Sequence, residues 1–160
     1  MSYDIYIGNA EIESEVREDE FYVRWIVNGH SEPDAPNFEG DTLTQNTNSR
    51  HPGYSQWANF LKEVGLYDTF FNEEIGLMRE HPGCFPLTRQ HLVKFKDALE
   101  YLNMTDKRPA GLDPRLIKDD FIQIPQGEET HSYNKVRLIW LIYWTEWALR
   151  NCQYPAIYNY

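Results

Sequence analysis

Hydrophobic positions change period along this chain, and the changes mark its elements. Over Tyr3–Ile12 ("YDIYIGNAEI") and Phe21–Gly29 ("FYVRWIVNG"), β-branched and aromatic residues dominate, which predicts two strands. In the second, Phe21, Val23, Trp25 and Val27 alternate with Tyr22, Arg24 and Ile26, so one face is apolar and the other mixed. The polar "ESEVREDE" between them forms the hairpin tip or the extended strand ends. From His30 to Gly53 periodicity vanishes and turn formers accumulate. A structureless loop of that length inside a compact domain is usually functional or disordered.

Helical spacing then takes over. Ser55 caps a helix running to Val64, with Trp57, Phe60, Leu61 and Val64 on one face and Gly65 as its stop. Asp68 caps a second, with Phe71, Ile75 and Met78 together. Thr88 caps a third, with a stripe of Leu92, Phe95, Leu99 and Leu102. Residues 105–131 hold Pro109, Pro114 and Pro125 and read as a connection, with "DDFIQIP" as a short strand inside it. The last helix, from about Ser132 to Asn151, is apolar nearly all round ("VRLIWLIYWTEWAL"), as a buried central helix must be. Trp140, Trp144 and Trp147 form a stripe on it that reads as packed core. The aromatic tail "QYPAIYNY" docks back onto the body. The expected fold is α+β: an N-terminal β-hairpin or small antiparallel sheet packed on about four helices, with the Trp-rich C-terminal helix buried. Residues 1–160 make one domain, a length at which no metal or disulfide staple is needed.

Charge changes this picture at one end only. Residues 1–41 carry eleven carboxylates against Arg17 and Arg24, a net −9, whereas the remainder holds fourteen acids and thirteen bases. That field repels phosphate and attracts basic surfaces, which disfavours direct nucleic-acid binding. No secretory signal is seen at the start, and the longest apolar run, Leu138–Trp144, is far too short for a membrane span. Cys84 and Cys152 are therefore expected as reduced thiols in a cytoplasmic protein.

The tripeptide His-Pro-Gly occurs twice, at 51–53 and 81–83. X-Pro-Gly-X is the pattern of a type II turn, with glycine supplying positive φ, and each turn would redirect the chain into a helix. That accounts for proline and glycine but not for histidine. His81 and Cys84 have the spacing of half a zinc site, but no second ligand pair follows, and no metal or cofactor is expected. "DAPNFEGD" lacks the alternating ligands of a calcium loop. "TQNTNSRHPGYSQW" gathers Asn46, Asn48, Arg50, His51, Tyr54 and Trp57 at a loop-to-helix junction, where free amides, an arginine fork and aromatic stacking faces suit an anionic small molecule such as a nucleotide.

The blocks "MSYDI", "NSRHPGYSQWANFLKEVGLYDTFF", "GLMREHPGCFPL" and "LRNCQYPAIYN" together resemble a group of small uncharacterised bacteriophage-encoded proteins. The resemblance leaves aside the segment around residues 103–130. It implies a setting, the bacterial cytoplasm during phage or prophage expression, and no activity or catalytic residue. Three functional expectations follow. The first is a non-enzymatic phage accessory or counter-defence protein that binds a basic surface of a host protein through Glu11, Glu13, Glu15, Glu18, Asp19 and Glu20. The second is a protein that binds or sequesters an anionic nucleotide through Asn48, Arg50, His51 and Tyr54. The third is a hydrolase using His51 with Asp41 or Asp34 as its orienting carboxylate.

Overall fold

A helix that is apolar on every side needs partners on every side, and the chain supplies them from both ends. The computed structural model describes residues 1–17, 20–41, 45–119 and 121–160, apart from the side chains of 15–17 and 20–22. In chain order the elements are β1 (Ile5–Arg17), β2 (Glu20–Val27), β3 (Ser49–Arg50), α1 (Tyr54–Glu63), α2 (Tyr67–Phe71), β4 (Gly83–Pro86), α3 (Arg89–Thr105), α4 (Pro114–Lys118), α5 (Tyr133–Asn151) and β5 (Pro155–Asn159). Helix α5 packs on β1 and β5 and on α3, burying Val136, Leu138, Trp140, Leu141, Trp144 and Ala148. Around it, Ile5, Ile7, Trp57, Phe60, Leu61, Phe70, Phe95 and Ile157 complete the core. The α+β class expected from the sequence is the observed one. Among the described residues the helices number five rather than about four, because the connection read over 105–131 contains the five-residue α4. No helix of the described residues is long and apolar enough to cross a membrane.

The sheet is antiparallel with strand order β2-β1-β5-β4, and β3 pairs separately with β1. The aromatic tail therefore does more than dock: as β5 it lies between β1 and β4. Asp4 and Tyr160 extend the β1–β5 ladder by exchanging two backbone bonds of 2.8 and 3.0 Å. Along β1, residues 5–9 face β5, whereas Ala10 to Arg17 pair with β2 from Val27 to Glu20. Residues 18 and 19, at the tip, lie outside the described residues. The apolar face read in β2 exists, but only its inner end is covered: Val27 is buried, whereas Val23 and Trp25 are exposed.

Several local expectations are corrected. Helix α1 is capped by Gly53, not Ser55, with the Gln56 side chain accepting the Gly53 amide at 3.3 Å. Gly65 follows it at φ +75°, as a helix stop requires. The second helix ends early because the Asn72 side-chain oxygen accepts the amides of Glu74 and Ile75, drawing the backbone into a turn. Ile75 is consequently exposed, although Phe70 and Met78 are buried. Thr88 caps α3 as read, and Ser132, where the last helix was expected to begin, is the N-cap of α5. "DDFIQIP" forms no strand among the described residues, and Asp120 lies outside them; the connection instead contains α4, started by Asp113 and Pro114. Neither His-Pro-Gly segment is a type II turn. Gly53 sits at φ −61°, ψ 152°, and Gly83 is not at positive φ; the His81–Pro82 peptide is cis. Glycine is needed at 83 for space, since a Cβ there would lie 2.7 Å from the Glu80 carbonyl oxygen. Only the first of the two segments leads into a helix; the second opens β4.

The 106–132 connection is held by charge. Buried Lys135 donates to the carbonyls of Asp106 and Arg108, both at 2.5 Å. Arg108 forks onto Asp106 and Arg115 onto Asp113. The Arg108 hydrogen bonds hold the Asp106 carboxyl down at about 2, and Arg115 depresses Asp113 in the same way. A carboxylate depressed in the folded state adds stability that is complete above its unfolded value, about 4, and is lost as pH falls through its folded value. The stability difference between the protein and Asp106→Asn, from urea midpoints, should therefore shrink from pH 5 towards the Asp106 value of about 2. The core offers a second test. The Trp140 indole donates to the Thr47 carbonyl at 3.0 Å, whereas the buried Trp144 indole N–H has no acceptor among the described residues. Trp140→Phe should cost about 1 kcal/mol more than Trp144→Phe in urea unfolding.

Candidate functional site

The junction singled out in the sequence is divided by its own short strand. Pairing of Ser49 with Tyr6 and Arg50 with Ile5 fixes β3 beside β1. Asn48 and Arg50 are buried, whereas Ser49 and His51 are half-buried. The Asn48 amide donates to the carbonyls of Ile7 and Asn28, both at 2.9 Å, and its oxygen accepts the His30 amide at 2.7 Å. It closes the entrance and exit of the 30–47 loop. Arg50 lies between the rings of Tyr133 and Trp140, donates to the Tyr133 hydroxyl at 2.7 Å and pairs with buried Asp41 at 3.4 Å. The Tyr133 hydroxyl in turn donates to Asp41 at 2.9 Å. This guanidinium is held inside the protein, where it ties the long loop to the start of α5.

His51 and Tyr54 belong to a different network, at the open end of the β1–β5 ladder. His51 Nδ1 lies 2.5 Å from Asp4 Oδ1, and its ring stands edge-on to Tyr6. An ionised carboxylate only accepts, so Nδ1 carries the proton and Nε2 is the acceptor of the neutral ring. The carboxylate beside His51 is thus Asp4. Asp41 is engaged by Arg50 and Tyr133, and Asp34 is exposed, so neither orients His51 as the hydrolase reading expected.

The second histidine joins the same end of the sheet. His81 Nδ1 donates to Asn159 Oδ1 at 2.6 Å, and its Nε2 accepts from the Tyr54 hydroxyl at 3.1 Å. Fully buried Asn159 also donates to the carbonyls of Glu80 and Gly83. One side chain of β5 thereby spans the whole His-Pro-Gly bend, which explains why a histidine starts it. Tyr3 packs between Tyr54 and His81, and burial pushes its phenol above the ordinary tyrosine value. Both histidines fasten a loop to paired terminal segments. Asp4 and Asn159, their partners, lie 47 and 78 residues away in the chain, beyond any local spacing rule. Cys84, the possible zinc partner of His81, has its thiol pushed up to about 11 by burial. No group of three or more His, Cys, Asp or Glu among the described residues could hold a metal ion.

The acidic hairpin is the other candidate. Glu11 accepts from Asn28 at 2.8 Å, and Glu13 pairs with Arg24 across the strands at 2.9 Å. Glu18 and Asp19 lie outside the described residues, as do the side chains of Glu15 and Glu20. What the sequence did not show is that the opposite, apolar face lies open. Ile12 stands across from Trp25 and Ser14 across from Val23. Ile12 is 59%, Val23 58% and Trp25 46% exposed. This strip runs through Trp25, which packs edge-on against Tyr154, into an apolar cavity of about 360 Å³ floored by Ala10, Cys84, Phe85 and Ala156.

The placement of Arg50 carries a stability test. Truncating one partner of a buried ion pair costs about 3–5 kcal/mol, because the remaining charge stays desolvated. Arg50→Met should lower the urea unfolding free energy by about that much, whereas an arginine reserved for a ligand would be replaced with little loss of stability.

Set beside known proteins, the chain matches no family model, no curated protein and no solved structure.

Proposed function

We propose that this is a non-enzymatic binding protein whose N-terminal hairpin engages another protein. The observation that carries the reading is the exposed apolar strip Ile12–Val23–Trp25 leading into the cavity beside Tyr154. Contiguous exposed apolar surface of this kind is the usual form of a protein-binding patch. An aromatic at the mouth of a pocket is the usual form of its energetic centre.

The carboxylates at 11, 13, 15 and 18–20 outnumber Arg17 and Arg24 in the same arm. Their role is selection and encounter speed: they favour a partner with a basic rim around an apolar anchor. The resemblance to phage proteins adds the partner class, a protein of the bacterial host, and with it an accessory or counter-defence role. The small-molecule reading at Asn48, Arg50, His51 and Tyr54 has less support, because each of the four already has partners of its own.

The test compares the protein with its Trp25→Ser variant as immobilised baits for bacterial lysate, at low and high salt. A stoichiometric protein retained by the first, lost by the second and released by salt is the expected result. Loss of a central aromatic should weaken binding by about 2 kcal/mol or more, roughly thirtyfold. Equal retention by both baits, or retention indifferent to salt, counts against the hairpin.

A further inference from the structure

A polar cavity of about 470 Å³ opens beside the start of α5, walled by Gln56 and Glu63 of α1, by the 108–116 segment and by His131. That size falls within the range of small-molecule sites. Most charges on its walls are matched by their own neighbours. Arg108 reaches Asp106 at 2.7 Å and Glu129 at 3.6 Å. Asp113 takes Arg115 at 2.9 Å, and Glu63 accepts the Asn134 amide at 2.7 Å.

Arg137 is different. Its guanidinium lies 4.4 Å from the ring centre of Tyr133 and 5.4 Å from that of Phe60. Of its five donors, one bonds Asn134 Oδ1 at 2.8 Å. Among the described residues, no carboxylate oxygen comes within 4.0 Å of it. Burial pushes it down to about 10, so it remains a cation at neutral pH, deprived of much of its water. Two aromatic faces offset part of that loss. A shielded guanidinium still calls for an acceptor. The first amides of α5, at Tyr133 and Asn134, have no intrahelical acceptor and add positive potential on the same side.

We propose that this cavity binds a small organic monocarboxylate, its carboxylate forked on Arg137 and its apolar part against Leu112 and Leu116. A planar carboxylate matches the guanidinium edge. A phosphate dianion would meet Glu63, Asp113 and Glu129 across a small cavity, where like charges repel strongly. The inference is independent of the hairpin: it concerns another face and another class of partner.

Sodium benzoate is the probe and benzamide its uncharged control, at fixed ionic strength, titrated into the full-length ¹⁵N-labelled protein. Benzoate should give saturable shifts at the Arg137 Nε–H and at the Tyr133 and Asn134 amides, with benzamide inert. Arg137→Gln should weaken benzoate about ten- to a hundredfold while leaving the remaining resonances in place. The proposal is overturned by no shift at those positions up to about 20 mM benzoate. It is equally overturned by benzamide acting like benzoate, or by unchanged affinity in a folded Arg137→Gln variant. Inorganic phosphate shifting these resonances while benzoate does not would overturn the carboxylate class. If Arg137→Gln fails to fold, the benzoate–benzamide comparison on the unaltered protein still decides.

Discussion

The insertion of β5 between β1 and β4 is the constraint on which the remaining structure depends. A strand in mid-sheet must satisfy two neighbours at once, and β5 follows α5 after only a short link. Helix α5 is thereby pinned over the sheet, and its all-round apolar surface becomes an advantage. The same insertion delivers Asn159 to the second His-Pro-Gly bend and Tyr160 to Asp4. The lengths of the strands then decide what stays uncovered. β1 has thirteen residues and β5 five, so the far half of β1 has β2 alone for company. The open strip at Ile12 and Trp25 lies in that far half of the hairpin.

The elements legible in the sequence were those whose period repeats often enough to be counted. The hairpin, α1, α3 and α5 each show several turns or alternations of pattern, and Thr88 is a cap with a defined local chemistry. What escaped is short or set by distant partners. β3 is two residues long, and β4 is "GCFP", with glycine at one end and proline at the other, which reads as a turn. Pro86 is tolerated because β4 lies at the sheet edge. The early end of α2 hangs on one Asn72 side chain, and the tail's rank as an inner strand depends on β1, more than a hundred residues earlier.

The site residues follow the same rule. Asn48, Arg50, His51 and Tyr54 were grouped by proximity in the chain, and the structure gives each of them partners of its own. In an extended segment successive side chains part company, and two of these turned inward. Arg137 went unnoticed because, within "YNKVRLIWLIYW", an arginine on a helix reads as a surface residue. That it has aromatic rings where a carboxylate would be expected is a tertiary fact. The exposed strip shares this origin: alternation shows that Val23 and Trp25 share a face, but not whether anything covers it.

The position of β5 also bears on how the protein is made. Synthesis runs from β1 to β5, so the strand that joins the two sides of the sheet leaves the ribosome after the other elements described. Until then β1 and β4 hold a vacant slot with unpaired backbone on both sides, and α5 lacks its floor. Long-range pairings of this kind close slowly, because the loop entropy is spent before the contacts form. The nascent chain therefore passes through an interval with open strand edges and uncovered tryptophans, the kind of surface that chaperones recognise and aggregation exploits. The sheet is complete only when Pro155–Asn159 enters that slot.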